Sequence, residues 1–345
     1  MLILSIDTSC DETAVAVTSG RKIISNVIYS QSLLHKKWGG VVPSLARRAH
    51  EERIDWVVNE SLKKAKSTMD KIDAIAVTYG PGLAIALEVG INKAKKLSVE
   101  YNKKIIPVNH MEGHIYSCFG QNRNGNPKLN FNFPYLALLI SGGHTELVLF
   151  KSHICYEILG STIDDAAGEA LDKAAKMLDL GYPGGEVIES LASEVNNKDL
   201  FNFPRPMIKK NTLDFSFSGL KTSFYYFLKK ENKVKAAKVK ELASSFQEAV
   251  FDTLLLKTKK AIEITKVNRL LVGGGVSANL YLRRKIRKLV GDYKGSVIFP
   301  TFKYLTGDNA AMIGIVGGYK AKEGVFVKDI NKLDRVPRLK LSDSY

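Results

Sequence analysis

The chain has 345 residues, 45% hydrophobic and 25% charged, with 51 Lys plus Arg against 35 Asp plus Glu and a formal net charge of +16. That length suits two domains of ordinary size, and the apolar fraction suffices for buried cores, which excludes a disordered chain. The positive surplus points to a polyanion, nucleic acid first, although a Lys-rich composition also arises from genome bias alone. The three cysteines, Cys10, Cys118 and Cys155, form no CxxC pair, which argues against a disulfide framework or a thiolate zinc cage. No basic, apolar leader precedes the first strand-like run. The longest apolar run, Tyr135 to Ile140, falls far short of the ~20 residues of a spanning helix, so a cytoplasmic protein without a membrane segment is expected.

In chain order, Leu2-Ile3-Leu4-Ser5-Ile6-Asp7 reads as a strand carrying a carboxylate, and Ser9-Cys10-Asp11-Glu12-Thr13 as a hairpin turn of small polar residues. Residues 43–66 place Leu45, Ala49, Ile54, Val57, Val58, Leu62 and Ala65 at helical spacing, which predicts an amphipathic helix. Val77-Thr78-Tyr79-Gly80-Pro81-Gly82, a helix and Ile105-Ile106-Pro107 read as a βαβ crossover. Residues 162–178 read as a helix whose acidic first turn, Asp164-Asp165, suits the dipole, and which ends at Gly181-Tyr182-Pro183-Gly184-Gly185. Residues 192–240 are polar and basic, with Pro204-Arg205-Pro206 marking an irregular stretch. Leu270-Leu271-Val272-Gly273-Gly274-Gly275, a helix at 280–289 and Ile298-Phe299-Pro300 read as a second crossover. Residues 309–322 form a late helix with a small-residue face.

Two offsets betray a repeat. Ser9 and Thr13 match Ser141 and Thr145 at 132, and Gly80 and Ile105-Ile106-Pro107 match Gly273 and Ile298-Phe299-Pro300 at 193. The expected architecture is α/β: a duplicated unit forming two α/β domains that face a central cleft, where strand ends and backbone amides receive ligands. The domains fall at 1–130 and 131–307, the second with a basic insertion around 192–240, and the segment 308–345 returns to the first.

Four constellations carry candidate chemistry. Asn109-His110-Met111-Glu112-Gly113-His114 sets two histidines at i and i+4, on one face if helical. Surface or core histidines explain most such strings, but an offset of 193 brings Thr306-Gly307-Asp308-Asn309 to the corresponding place, so Asp308 can meet the pair across the cleft. Two His and one carboxylate leave coordination positions open. Glu112 sits at i+2 and points away, so the string is no HExxH protease site. Second, the two hairpin turns offer amides and hydroxyls for phosphate, Gly142 and Gly143 permitting close approach, while Asp7, Asp11 and Glu12 imply a metal or a reacting proton. Third, Gly273-Gly274-Gly275 leading to Asn279 reads either as a nucleoside site or as a tight βα turn with an N-cap. Fourth, Lys209-Lys210, Lys229-Lys230, the lysines from Lys233 to Lys240, Lys257-Thr258-Lys259-Lys260 and Arg283-Arg284-Lys285-Ile286-Arg287-Lys288 supply charge for phosphates. Phe215 and Phe217 among them read as core.

These strings resemble the TsaD family, the tRNA N6-adenosine threonylcarbamoyltransferases, whose fold is a pair of actin-like (ASKHA) domains. The matches include Ile6 to Thr13, Gly39-Gly40-Val41-Val42-Pro43, Tyr79 to Leu83, Val108 to His114, Ser141 to Thr145, Asp164 to Ala170, Asp172-Lys173, Tyr182 to Gly185, Phe203 to Pro206, Phe215 to Thr222, Gly273-Gly274 with Val276, Ala278 and Asn279, and Asp308-Asn309-Ala310. They run in family order over nearly the whole chain. The resemblance implies one Fe(II) or Zn(II) ion per subunit, held by His110, His114 and Asp308. It implies threonylcarbamoyl-AMP as donor, lying against Ile140, Ser141, Gly142, Gly143, His144, Asp172, Gly185 and Asn279. The acceptor is the exocyclic amine of adenosine 37 in tRNAs reading ANN codons. The implied partners are tRNA, a TsaB-like paralogue and a TsaE-like ATPase, with a TsaC-like synthase making the adenylate.

Ser44, Arg47, Glu88, Gly307 and Glu186 depart from the family pattern, and Glu189 stands where it could touch the adenylate ribose. The expected chemistry has the metal orient the carbamoyl end, amides at Gly142 and Gly143 stabilise developing charge, and Asp11 or Glu12 take the amine proton. The rival readings are a small-molecule kinase on the same fold and a non-catalytic nucleotide or tRNA scaffold.

Overall fold

The structure, a computed structural model, describes residues 1–231 and 236–343. It divides into two compact units, Met1–Asn132 with Ser152–Tyr156 and Pro300–Tyr345, and Phe133–Lys151 with Glu157–Phe299.

The first unit starts with β1 (Leu2–Asp7), β2 (Glu12–Ser19) and β3 (Lys22–Ser30), continues through α1 (Ser32–Lys36) and α2 (Pro43–Ala65), and then runs β4 (Ala74–Gly80), α3 (Ala84–Tyr101), β5 (Lys104–Asn109) and α4 (His110–Ser117). Its sheet has the order β3-β2-β1-β4-β5. The β1–β2 pair is antiparallel, and β1–β4 and β4–β5 are parallel, so the hairpin and the crossover both form. Every residue of β4 is buried, as expected of a parallel strand covered on both faces. Helix α2 starts with Pro43 at its first turn and buries Ala46, His50, Ile54, Val57, Val58, Ser61 and Ala65, so the inward stripe lies one position beyond the predicted Leu45 and Ala49.

The second unit is built from β6 (Tyr135–Ile140), β7 (Thr145–Ser152), β8 (Cys155–Ser161), α5 (Ala167–Met177), α6 (Gly184–Glu194), α7 (Ser218–Lys230), α8 (Ala236–Thr265), β9 (Arg269–Gly273), α9 (Leu280–Asp292) and β10 (Ser296–Ile298). Its sheet order, β10-β9-β6-β7-β8, repeats that of the first unit element for element. Its core gathers Leu138, Ala174, Phe215, Phe217, Phe224, Phe246, Phe251, Leu270 and Ile286.

The predicted helix at 162–178 starts later, at Ala167. Asp164 does not serve its own helix: its carboxylate accepts from Phe217 N at 2.8 Å and Ser218 Oγ at 2.7 Å and so caps α7 instead. The pair Gly184-Gly185 opens α6 rather than merely ending α5. Lys233 and Lys235 lie outside the described residues.

Last comes α10 (Ala310–Lys322), whose cap Asn309 accepts from Met312 N and whose first carbonyl, that of Ala310, accepts from Ser5 Oγ on β1 at 2.6 Å. It packs on α4, β1, β2 and β5, all in the first unit. The α4–α10 contact depends on Gly113, where a Cβ would stand 2.8 Å from Met312 Cγ. Among the described residues, no helix is long and apolar enough to cross a membrane.

Candidate metal centre and nucleotide-binding turn

Helix α4 presents its histidines as the i, i+4 spacing requires. Asn109 caps it in a reciprocal box with Glu112, and all eight helical residues are buried. Glu112 turns away to a fully buried ion pair with Lys320, 2.8 Å long, and takes no part with the histidines. His110 Nε2 and His114 Nε2 lie 3.2 and 3.3 Å from Asp308 Oδ1. One donor atom from each residue falls within 4.8 Å of the others. Asp308 belongs to the same compact unit as both histidines, which corrects the expectation of a carboxylate reaching across from the other domain. The reason is α10: its small residues let it pack on α4 and β1, and Asp308 precedes its cap.

These residues fit a metal ion. His114 is fully buried, yet its Nδ1 has no hydrogen-bond partner and its Nε2, 3.3 Å from Asp308 Oδ1, falls short of hydrogen-bond geometry, a costly state that coordination would relieve. Burial holds its pKa low and the ring neutral, the ligating form. At His110 burial opposes the cation, but the carboxylates of Asp308 and Asp7 outweigh it and raise the pKa well above the ordinary value. Burial works against the Asp308 carboxylate too, and the two imidazoles overcome it and hold its pKa far down. The site thus stabilises positive charge, which a divalent cation supplies in place of a proton. Behind it, Asp7 Oδ2 and Ser9 Oγ approach His110 Nδ1 at 3.4 and 3.1 Å and orient the ring.

The turn between β1 and β2 carries Asp11, buried, and Glu12 at the start of β2. Burial first, then the charges of Asp11 and Asp308, push the Glu12 carboxyl well above the usual range. A buried relay, which the sequence reading missed, supports the turn. Val42 N donates to His35 Nδ1 at 3.3 Å, His35 Nε2 meets Gln31 Oε1 at 3.2 Å, Gln31 Nε2 meets His50 Nδ1 at 3.3 Å, and His50 Nε2 meets the Cys10 carbonyl at 3.0 Å. Thr13 Oγ1 adds a 2.7 Å bond to His50 Nδ1. One tautomer, with the proton on Nε2 of both rings, satisfies every link. The available signal was a histidine on the apolar stripe of α2.

In the second unit the hairpin turn follows Ile140. Ser141 N donates to the His144 carbonyl at 2.9 Å and His144 N to Ser141 Oγ at 3.1 Å, which closes the turn on itself. Gly142 and Gly143 are exposed, and a Cβ on either would meet nothing within 4 Å, so open space lies beside their α-carbons. Gly274 has φ +91°, and a side chain there would collide with the Ile140 carbonyl. Asp172 Oδ1 accepts from Gly184 N and Gly185 N at 2.8 and 3.3 Å. Asn279 caps α9 through Leu282 N and donates to Gln247 Oε1 at 3.1 Å, so the N-cap half of its double reading is realised. Glu189 Oε1 accepts from Leu280 N at 2.8 Å. All nine residues expected to hold nucleotide therefore lie in the second unit, whereas the expected proton acceptors Asp11 and Glu12 and the metal donors His110, His114 and Asp308 lie in the first.

Some predicted cations are not available to ligands. Lys257 is buried and donates to the carbonyls of Met207 and Thr212 at 2.9 and 2.6 Å. Lys285 pairs with Glu248 and Asp252 at 2.6 and 3.0 Å. Phe215 and Phe217 are core, as predicted. Two of the departures from the family pattern meet each other: Arg47 lies 3.9 Å from Glu88, which Arg335 also approaches, at 3.6 Å.

Solved structures place the fold among the actin-like ASKHA proteins. HypF in its phosphate- and nucleotide-bound form matches 93% of this chain and 55% of its own, with TM-score 0.60 and 13% identity. Component A of (R)-2-hydroxyglutaryl-CoA dehydratase from Acidaminococcus fermentans matches 93% of this chain and 99% of its own, with TM-score 0.53 and 14% identity. The TsaD family model, tRNA N6-adenosine threonylcarbamoyltransferase, matches residues 22–315, and the chain belongs to that family. Proteins of that name from Thermosipho africanus and Staphylococcus haemolyticus are 46% and 47% identical, covering 99% and 96% of this chain and 100% and 94% of their own. The chain is accordingly an acyltransferase acting on tRNA.

Proposed function

We propose that the chain moves the threonylcarbamoyl group from threonylcarbamoyl-AMP to the exocyclic amine of adenosine 37 in tRNAs reading ANN codons, with a metal ion held by His110, His114 and Asp308. The observation that carries this reading is the buried His114 ring, its Nδ1 without a hydrogen-bond partner and its Nε2 beside the Asp308 carboxylate, in a member of this family. Two imidazoles and one carboxylate suit Fe(II) or Zn(II), one per subunit. When bound, such an ion supplies Lewis acidity toward an oxygen of the acyl donor.

The amine lone pair attacks the carbamoyl carbon, a C–N bond forms, the C–O bond to phosphate breaks, and AMP leaves with the electron pair. The amine gives up one proton. Glu12, with Asp11 beside it, accepts that proton, since burial makes it a stronger base than an exposed carboxylate. Amides of Gly142 and Gly143 donate to the acyl-phosphate oxygens, with Ile140, Ser141 and His144 completing the turn. Asp172 holds Gly185 in place for the nucleotide, and Asn279 and Glu189 face its ribose and base. A TsaB-like paralogue and a TsaE-like ATPase complete the cytoplasmic machinery, and a TsaC-like synthase supplies the adenylate.

The test is reconstitution with purified partners, the adenylate and an unmodified tRNA transcript, read by nucleoside mass spectrometry. The threonylcarbamoyl adduct is expected with wild type. His110→Ala with Asp308→Ala should lower transfer roughly a hundredfold or more while tRNA binding persists. Full transfer by that variant would overturn the metal assignment. ATP turnover with a phosphorylated small acceptor would favour the kinase reading, and tRNA binding without any transfer would favour the scaffold.

A further inference from the structure

The cations of the second unit divide into two groups. Some are neutralised locally: Lys173 and Lys221 by Asp165, Arg205 by Asp199 and Asp252, Lys238 by Glu231, Lys240 by Glu194, and Lys285 by Glu248 and Asp252. Others, Lys209, Lys210, Lys229 and Lys230 among them, are exposed in pairs with no acidic partner in ion-pair distance among the described residues, and helix α9 gathers three such cations on one element beside aromatic rings. Arg284, Arg287 and Lys288 are exposed, and none has an acidic partner within ion-pair distance among the described residues. The carboxylate of α9 itself is Asp292, at its last residue.

The helix is sharply two-faced. Leu282, Ile286 and Val290 are buried at i, i+4 and i+8. At about 100° per residue, Arg284, Arg287 and Lys288 spread over the exposed side, with Gly291 continuing it without a side chain, while half-buried Arg283 flanks the apolar stripe beside Val290. Aromatic rings hold the guanidiniums in place. The Phe299 ring lies 4.8 Å from Arg283 Cζ and 5.1 Å from Arg287 Cζ, and the Tyr281 ring 5.6 Å from Arg284 Cζ. Arg283 Nε also donates to the Ser277 carbonyl at 2.6 Å. Cations held in this way lose less side-chain entropy on meeting an anion than free lysines do. From Arg283 to Lys288 the axial rise is about 7.5 Å, room for one or two backbone phosphates.

We infer that the exposed face of α9 is the docking surface for the phosphate backbone of the tRNA substrate. Charge complementarity selects this occupant: Arg284, Arg287 and Lys288, exposed without an acidic partner among the described residues and two of them held against aromatic rings, match a polyanion, and the family's acceptor is one. The helix begins immediately after Asn279, so the docked strand runs up to the residues proposed to hold the adenylate. In this the inference rests on the proposed function and deepens it.

The test uses the full-length protein and a fluorescently labelled unmodified tRNA transcript, with Kd measured by anisotropy from 0.05 to 0.3 M salt. The variant Arg284→Ala/Arg287→Ala/Lys288→Ala should weaken binding at least about tenfold near 0.15 M salt and lower the log–log salt slope by about two to three. Arg284→Ala/Lys288→Ala, which leaves the Phe299 stack intact, should lower the slope by about one to two. A control, Lys71→Ala/Lys328→Ala/Lys332→Ala, removes the same charge from exposed sites of the first unit and should change Kd less than twofold. An unchanged Kd and slope in the α9 variants, or an equal loss in the control, overturns the inference. Either result leaves wild-type transfer intact, so it is distinguishable from failure of the proposed reaction, in which wild type itself forms no adduct.

Discussion

The two hairpin turns occupy the same place in two sheets of identical strand order, and they have become opposites. The turn of residues 9–13 buries Ser9, Asp11 and Thr13, carries Asp11 and Glu12, and is fastened from behind by His50 through the Cys10 carbonyl. The turn of residues 141–145 is closed by its own Ser141 and His144 and tied to α5 through Gly168 N on the Ser141 carbonyl at 3.3 Å and Ala167 N on Thr145 Oγ1 at 2.8 Å, and it leaves Gly142 and Gly143 exposed. Duplication kept the backbone and let the chemistry diverge: one copy holds charge and protons, the other exposes amides. A rigid, buried turn suits groups whose geometry sets a rate, whereas an open glycine turn suits a site that must admit and release a ligand.

Between the two turns, the larger effect should come from removing the fastening. His50→Ala leaves the Cys10 carbonyl, Thr13 and Gln31 without their shared partner, and kcat for transfer is expected to fall roughly thirtyfold to a hundredfold. The Kd for tRNA should stay within twofold, and His50→Gln, which keeps a donor and an acceptor, should recover part of kcat. A parallel loss in KM and tRNA affinity would show that the ring merely props the fold. In the other turn, Gly143→Val should leave the melting temperature unchanged, because a side chain there meets nothing, yet weaken adenylate binding about tenfold. Calorimetry with a non-reactive adenylate analogue reads this directly. Loss of kcat without loss of affinity would erase the contrast between the turns.

How much of this was legible depended on the range of the interactions. Both hairpins, both crossovers and the capped HxxxH helix follow from spacing within a few residues, and all form. Asp308 was found because the repeat offset pointed to it, although the reason given was wrong: α10 brings it home to the histidines' own unit. The relay of His35, Gln31 and His50 draws on the strand-3 exit, α1 and α2, with no spacing rule to connect them. Asp164 was misread because its partners at 216–218 lie some fifty residues on. Counting charges could not tell Lys257, buried on two carbonyls, from the exposed cations of α9.

The last contrast is the smallest and lies one residue beyond the turns. In the first unit Asp7 on β1 pairs with Ala14 on β2, whereas in the second, at the matching register, Leu139 on β6 pairs with Glu146 on β7. The carboxylate has changed strands. Asp7 gained a histidine, His110, at 3.4 Å. Glu146 gained no partner for its Oε2, and burial pushes its pKa up from 4.5 to about 7. Below about pH 4.5 the acid is neutral in the folded and unfolded chain alike and is neutral with respect to stability. As pH rises toward 7, the unfolded chain ionises while the folded one resists, so stability falls through that window, by at most about 3 kcal/mol and less where solvent reaches the group. Glu146→Gln should therefore melt with wild type at pH 4.5 and a few °C above it at pH 8. Melting curves that stay parallel across that range would mean that Glu146 ionises as freely as an exposed acid, and that the second unit tolerates its misplaced carboxylate without cost.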